Sequence, residues 1–189
     1  VLSKAYFHKG ADYMDLSIAN MRESLEMGYD ASDSRSYLAL AYAETGDFAE
    51  SAAWFARAID DALSRGDTQA VNALRVRSAS SYDAIGEYET AERLLRTAID
   101  ELDDEFLRLM ARNRLSEVLI NAGRITEAEQ VVRSTIEAYP ESADAHYYLG
   151  VVYHETERPI EARASWRTAR NLDPSHAAAL AGLAGNLEN

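Results

Sequence analysis

The residues able to do chemistry are scattered along this chain. Four histidines, His8, His146, His154 and His176, are the only neutral nitrogen ligands, and there is no cysteine. Two histidines chelate one metal from a helix when they stand three or four residues apart; His146 and His154 are eight apart, too far along one helix to share an ion. The adjacent acids Asp60-Asp61 and Asp103-Asp104 fall near expected helix ends. Capping and solvation account for them better than acid–base catalysis. No Gly-x-Ser-x-Gly elbow occurs, and no glycine-rich loop follows a strand. The sequence therefore offers no catalytic constellation, metal site or cofactor site. Arg108, Arg112 and Arg114 form the densest basic cluster. Arginine forks anchor carboxylates, but the same residues also read as a solvated helix face paired with Glu105 and Glu117.

The elements that must position these residues repeat. Gly46, Gly86 and Gly123 sit inside one pattern, which recurs around Glu157 without the glycine. Four residues before each turn stand Tyr42, Tyr82, Leu119 and Tyr153, and seven before it the small Ala39, Ala79, Ser116 and Gly150. After it come small Ser51, Ala91, Ala128 and Ala162, then large Phe55, Leu95, Val132 and Trp166, then small Ala58, Ala98, Thr135 and Ala169. Steps of four and three mark one face of an α-helix. Small residues let helix backbones approach closely while the large ones fill the gap between neighbours. The pattern predicts a stack of helical hairpins whose turn glycines adopt a left-handed conformation.

The stretch Tyr148-Leu149-Gly150-Val151-Val152-Tyr153, followed by Ala162, Trp166, Ala169 and Leu172-Asp173-Pro174, resembles the signature of the tetratricopeptide repeat (TPR) family. Asp47-Phe48 and Glu87-Tyr88 fit the family's entry into the second helix. The resemblance covers roughly residues 30 to 189. It implies an all-α fold, an α-solenoid of antiparallel helix-turn-helix hairpins forming the TPR superhelix.

On this reading residues 1–189 are a single TPR domain. It has a degenerate first unit over 1–31, repeats over about 32–71, 72–108, 109–142 and 143–176, and a C-terminal helix over 177–187. Residues 11 to 27 read as the second helix of the first unit, with Met14, Ser17, Met21 and Ser24 inward and Leu2 to His8 as a remnant of its partner. The turns lie 40, 37 and 34 residues apart, so the second and third units are longer than the fourth. Asp60 to Asp67 absorbs the first extension: the helix continues, stops at Gly66, and Asp67 caps the next. In the fourth unit Glu157-Arg158-Pro159 replaces the glycine turn, with Pro159 suited to a helix's first turn.

Hydrophobic residues make up 47% of the 189, with three prolines, in keeping with a nearly all-helical chain. No apolar run is long enough to span a membrane, and the first residues lack a secretory-signal layout. A start at Val1 without methionine suggests a piece of something longer. The lack of cysteine rules out disulfides and leaves cytoplasmic and extracytoplasmic settings open. A net charge of −13 argues against a nucleic-acid partner, which needs a basic stripe.

With no pocket of converging groups, function is expected on a surface, through another protein or a peptide segment. The resemblance implies that the first helix of each hairpin lines a groove. The groove residues it implies are Tyr37, Leu40 and Glu44, then Val76, Arg77 and Asp83, then Asn113, Arg114, Glu117 and Asn121, then Tyr147, Tyr148, Val151 and His154. Tyrosine and arginine are frequent interface anchors. TPR domains that clamp a C-terminal carboxylate use lysine and asparagine; Ser36, Leu40, Val76, Ser80, Asn113 and Glu117 at those positions set that clamp aside. At the far end, Leu180, Leu183 and Leu187 match the packing side of a repeat's first helix, and small residues such as Gly182 leave the rest unusually apolar. Leu180, Gly182, Leu183 and Leu187 are thus a candidate end interface, for further repeats or a second copy. The leading expectation is a non-enzymatic interaction scaffold; the alternative is a regulatory or sensor segment of a longer enzyme or transcription regulator.

Overall fold

A computed structural model describes residues 13–28 and 33–185, in which all the regular structure is helical. The chain divides into two compact units, one ending at Leu102 and the other beginning at Asp103. The first unit carries α1 (Met14–Glu26), α2 (Ser34–Glu44), α3 (Phe48–Ser64), α4 (Thr68–Ala84) and α5 (Tyr88–Glu101). The second carries α6 (Glu105–Asn121), α7 (Ile125–Ala138), α8 (Ala143–Glu155), α9 (Pro159–Leu172) and α10 (Ala177–Gly185).

The four hairpin turns share one hydrogen-bond pattern. The amides of Gly46, Gly86, Gly123 and Glu157 donate three residues back, to the carbonyls of Ala43, Asp83, Ile120 and His154. The next amides, of Asp47, Glu87, Arg124 and Arg158, donate five residues back, to Tyr42, Tyr82, Leu119 and Tyr153. This closure needs a left-handed residue. Gly46 adopts φ +82° without penalty, whereas Glu157 holds φ +56° with a side chain attached.

Helix starts are fixed by short polar side chains. Asp67 Oδ1 accepts from the Ala70 amide at 3.0 Å, Asp104 Oδ1 from Leu107 at 2.9 Å, and Ser142 Oγ from Ala145 at 3.2 Å. Asp67, the cap expected after the Gly66 stop, is therefore in place. Pro159 opens α9. The extra residues lengthen first helices too: α4 begins at Thr68 and α6 at Glu105, so the expected boundaries at 71/72 and 108/109 fall inside these helices.

The repeated small and large residues form the interiors. In the first unit Phe55 packs with Ala39, Ala58, Ala62, Val71 and Leu74. Ser51 and Ser81 share a buried hydrogen bond of 2.8 Å, so these two small polar residues bury without an unpaired hydroxyl. Met14, Ser17 and Met21 are buried on α1, as the period of that helix predicts. The expected remnant at Leu2 to His8 lies outside the described residues. In the second unit Val132, Ala128 and Thr135 are enclosed, and Trp166 is inserted between Gly150 and Gly182.

That last contact corrects the expected orientation of the C-terminal helix. Ala179 is fully buried and Gly182 faces Trp166, while Leu180 is 41% exposed and Leu183 half-buried. The indole occupies so much space that only the small residues fit against it, which turns Leu180 outward. Leu187 lies outside the described residues.

Candidate functional site

The grooveward positions of the first helices differ in depth, and ten residues before the turn the depth varies from one hairpin to another. Glu44 and Asn121, two residues before their turns, are exposed. Leu40, Glu117 and Val151, six before, are half-buried. Val76 and Asn113, ten before, are buried at 6% and 8% exposure. Val76 and Asn113 are therefore packing residues, not surface available to a partner. Asn113 shows why: its amide donates to Ser142 Oγ at 3.4 Å, the hydroxyl that caps α8. A side chain at that position reaches the start of the next first helix.

In the first unit Tyr37 packs half-buried beside Met21, Leu38 and Tyr42, and Leu40 packs on the Phe55 cluster. Arg77 is exposed and Asp83 half-buried. A separate cavity of about 640 Å³ in this unit runs along α1 and the end of α2, lined by Ile18, Arg22, Glu26, Tyr42 and Thr45 among others. Of its residues only Tyr42 and Asp47 stand at repeat positions, and none was among the expected groove residues.

In the second unit the expected residues do converge. Glu117, Ile120 and Asn121 from α6, Asp144, Tyr147, Tyr148 and Val151 from α8, and His176 and Ala178 at the start of α10 line a cavity of about 300 Å³. The Tyr147 and Tyr148 rings lie 5.2 Å apart at 58°, and the His176 ring lies 5.2 Å from Tyr147. Trp166 Nε1 donates to the Tyr147 carbonyl at 3.2 Å, fixing the floor from behind. Glu117 pairs with Arg114 at 2.5 Å, and Asp144 lies 3.0 Å from His176 Nε2. Burial, with the Glu117 carboxylate next in effect, pushes the phenols of Tyr147 and Tyr148 above their usual range. Both hydroxyls remain protonated donors at neutral pH. His154 is exposed and lies against Trp166, with ring centres 5.9 Å apart, not among the lining residues.

His176 and Asp144 join this site without having been read from the repeat positions. The signal was present: His176 stands 34 residues after Ser142, the length of the last repeat. It does the same work, its Nδ1 accepting from the Ala179 amide at 3.1 Å. The other described histidines also have local roles, with His146 Nε2 3.0 Å from the Pro140 carbonyl. Among the described residues no three metal-ligating side chains gather. The arginine cluster is paired as a helix face: Arg108 with Glu105, Arg114 with Glu117, and Arg112 Nη1 to Ser134 Oγ at 3.4 Å.

The sequence profile of the tetratricopeptide repeat family matches residues 15–67 and 113–177, more than half of the chain. The chain belongs to the TPR family. The unmatched stretch between them holds the long α4, all of α5 and the start of α6. No curated protein sequence matches the chain. Among solved structures it is similar to YrrB, described as a TPR protein with an unusual peptide-binding site, at 22% identity over 90% of this chain and 83% of that one, with a TM-score of 0.63. A putative kinesin light chain from Podosopora anserina with TPR-like repeats gives 14% identity, 93% coverage of each chain and a TM-score of 0.73. The C-terminal part of a TPR protein from Cytophaga hutchinsonii gives 17% identity over 98% of this chain and 69% of that one, with a TM-score of 0.71. At these identities the likeness establishes the fold, that of TPR solenoids. TPR proteins are generally scaffolds for protein–protein interaction, without catalysis of their own, and among the described residues no helix is long and apolar enough to cross a membrane.

Proposed function

We propose that this TPR protein is a non-enzymatic scaffold that binds a segment of another protein in the cavity formed by α6, α8 and the start of α10. One observation carries the reading: α6 and α8 send an aromatic pair, two aliphatic side chains and two carboxylates to one concave place, and the start of α10 adds an imidazole. The receptor is preorganised. Trp166 holds the Tyr147 backbone and the tyrosines are half-buried, so a partner does not have to order the surface it meets. The peptide-binding site described for YrrB supports a segment as the ligand, and the charge of −13 supports a protein partner over nucleic acid.

The test combines Tyr147→Ala with Val151→Ser and titrates a partner segment recovered by the wild-type chain. Calorimetry is expected to show at least about a tenfold loss of affinity, the scale for truncating an interface anchor. Helical content is expected to stay unchanged. Undiminished affinity would reject the assignment.

A further inference from the structure

The chemistry of the cavity is more specific than its position. Its lining carboxylates are Glu117 and Asp144, with the His176 imidazole beside them; neither lysine nor arginine is among the nine lining residues. Arg114 and the Tyr148 hydroxyl reach Glu117, and His176 meets Asp144. Each carboxylate keeps lone pairs beyond those these contacts use. Asp144 is 63% and Glu117 31% exposed at the side chain, so both remain within reach of a ligand. Tyr147 and Tyr148 line the same space and stay uncharged at neutral pH. Ile120 and Val151 supply apolar wall. The space, equal to roughly ten water molecules, takes one long side chain and not a helix.

We propose that this cavity receives an arginine side chain of the partner segment, its stem along Ile120 and Val151 and its guanidinium against the tyrosine rings between Glu117 and Asp144. This rests on the groove reading above and names the chemistry of its ligand. Arginine fits better than lysine because its planar fork both stacks on an aromatic face and donates to two acceptors at once. An acidic segment would meet two carboxylates with no basic side chain among the lining residues, and a purely apolar one would leave Glu117 and Asp144 facing it unsolvated.

The test pans a random dodecapeptide display library on the whole chain and measures enriched peptides by fluorescence anisotropy. The expected peptides share an arginine beside apolar residues. Replacing that arginine by norleucine weakens binding about tenfold or more, and by lysine about threefold. Glu117→Gln weakens the arginine peptide several-fold but not its norleucine counterpart. Tyr147→Ala abolishes binding, and Asn121→Arg, at an exposed position on the rim that leaves the core untouched, weakens the arginine peptide selectively by about tenfold through like-charge repulsion. Enriched peptides that lack arginine yet depend on Tyr147 overturn the arginine receptor and leave the groove reading standing. Peptides indifferent to both Tyr147→Ala and Asn121→Arg, or no enrichment at all, overturn both.

Discussion

The two units solve one packing problem with different residues. In the first, Ala39 on α2 shares a core with Phe55 on α3; at the same register in the second, Gly150 on α8 meets Trp166 on α9. As the large partner grows from phenyl to indole, the small one shrinks from a methyl to a hydrogen. A Cβ on Gly150 would fall 2.3 Å from Trp166 Nε1, and one on Gly182 would fall 2.9 Å from the ring on its other side. In these two hairpins the small and large residues compensate in volume. The larger ring also donates its Nε1 to the Tyr147 carbonyl, so α8, which contributes to the candidate cavity, is held by the same side chain.

Exchanging the small residues is the strongest way to break this comparison. Gly150→Ala is expected to destabilise by about 2–3 kcal/mol through overpacking, although helix propensity alone favours alanine by about 1 kcal/mol. Ala79→Gly in the first unit loses that propensity and one fully buried methyl, and is expected to cost about 1–2 kcal/mol. Urea unfolding of both variants decides it; a neutral Gly150→Ala would show that the indole can move aside.

A smaller effect separates the turns. Glu157 pays the left-handed strain that Gly46 avoids. Glu157→Gly should stabilise by about 0.5–1 kcal/mol, and Gly46→Ala destabilise by about 1 kcal/mol. Thermal melts giving both changes the same sign would show that the shared hydrogen-bond pattern hides different energetics.

The smallest effect is on pH dependence, and it belongs to the second unit. The Tyr139 hydroxyl at 2.5 Å, followed in effect by Arg108, holds the Glu105 carboxyl below its ordinary range. A lowered folded-state pKa gives stability that is complete above the unfolded value and lost as pH falls through the folded one. Tyr139→Phe should therefore lower stability slightly at neutral pH, leave it unchanged at low pH, and so flatten the acid limb between them. An unaltered acid limb in denaturation series would remove Tyr139 as the cause.

Helix order, turns and core were legible in the sequence because each depends on local spacing. Ser51, Phe55 and Ala58, with their counterparts, are inward in every hairpin, and Asp67 caps α4 as its position after Gly66 requires. The site was legible only in part. Glu117, Asn121, Tyr147, Tyr148 and Val151 meet, but Val76 and Asn113 are buried: whether a side chain ten residues before a turn is covered depends on the next hairpin's start, which the period of one helix does not encode. His176 escaped notice because imidazole is an unusual cap, although it sits where Ser142 does. Leu180 was expected on the packing side from its match to a repeat's first helix; Gly182 faces Trp166 instead, and Leu180 is exposed.

Within each unit the helices pack mainly on their neighbours in sequence, α2 on α3, α3 on α4, α8 on α9. Few native contacts then require distant parts of the chain to find one another, and the entropy of closing long loops is largely avoided. Such a chain can gain structure hairpin by hairpin from any starting point, so its folding speed should depend on the quality of its turns more than on its length.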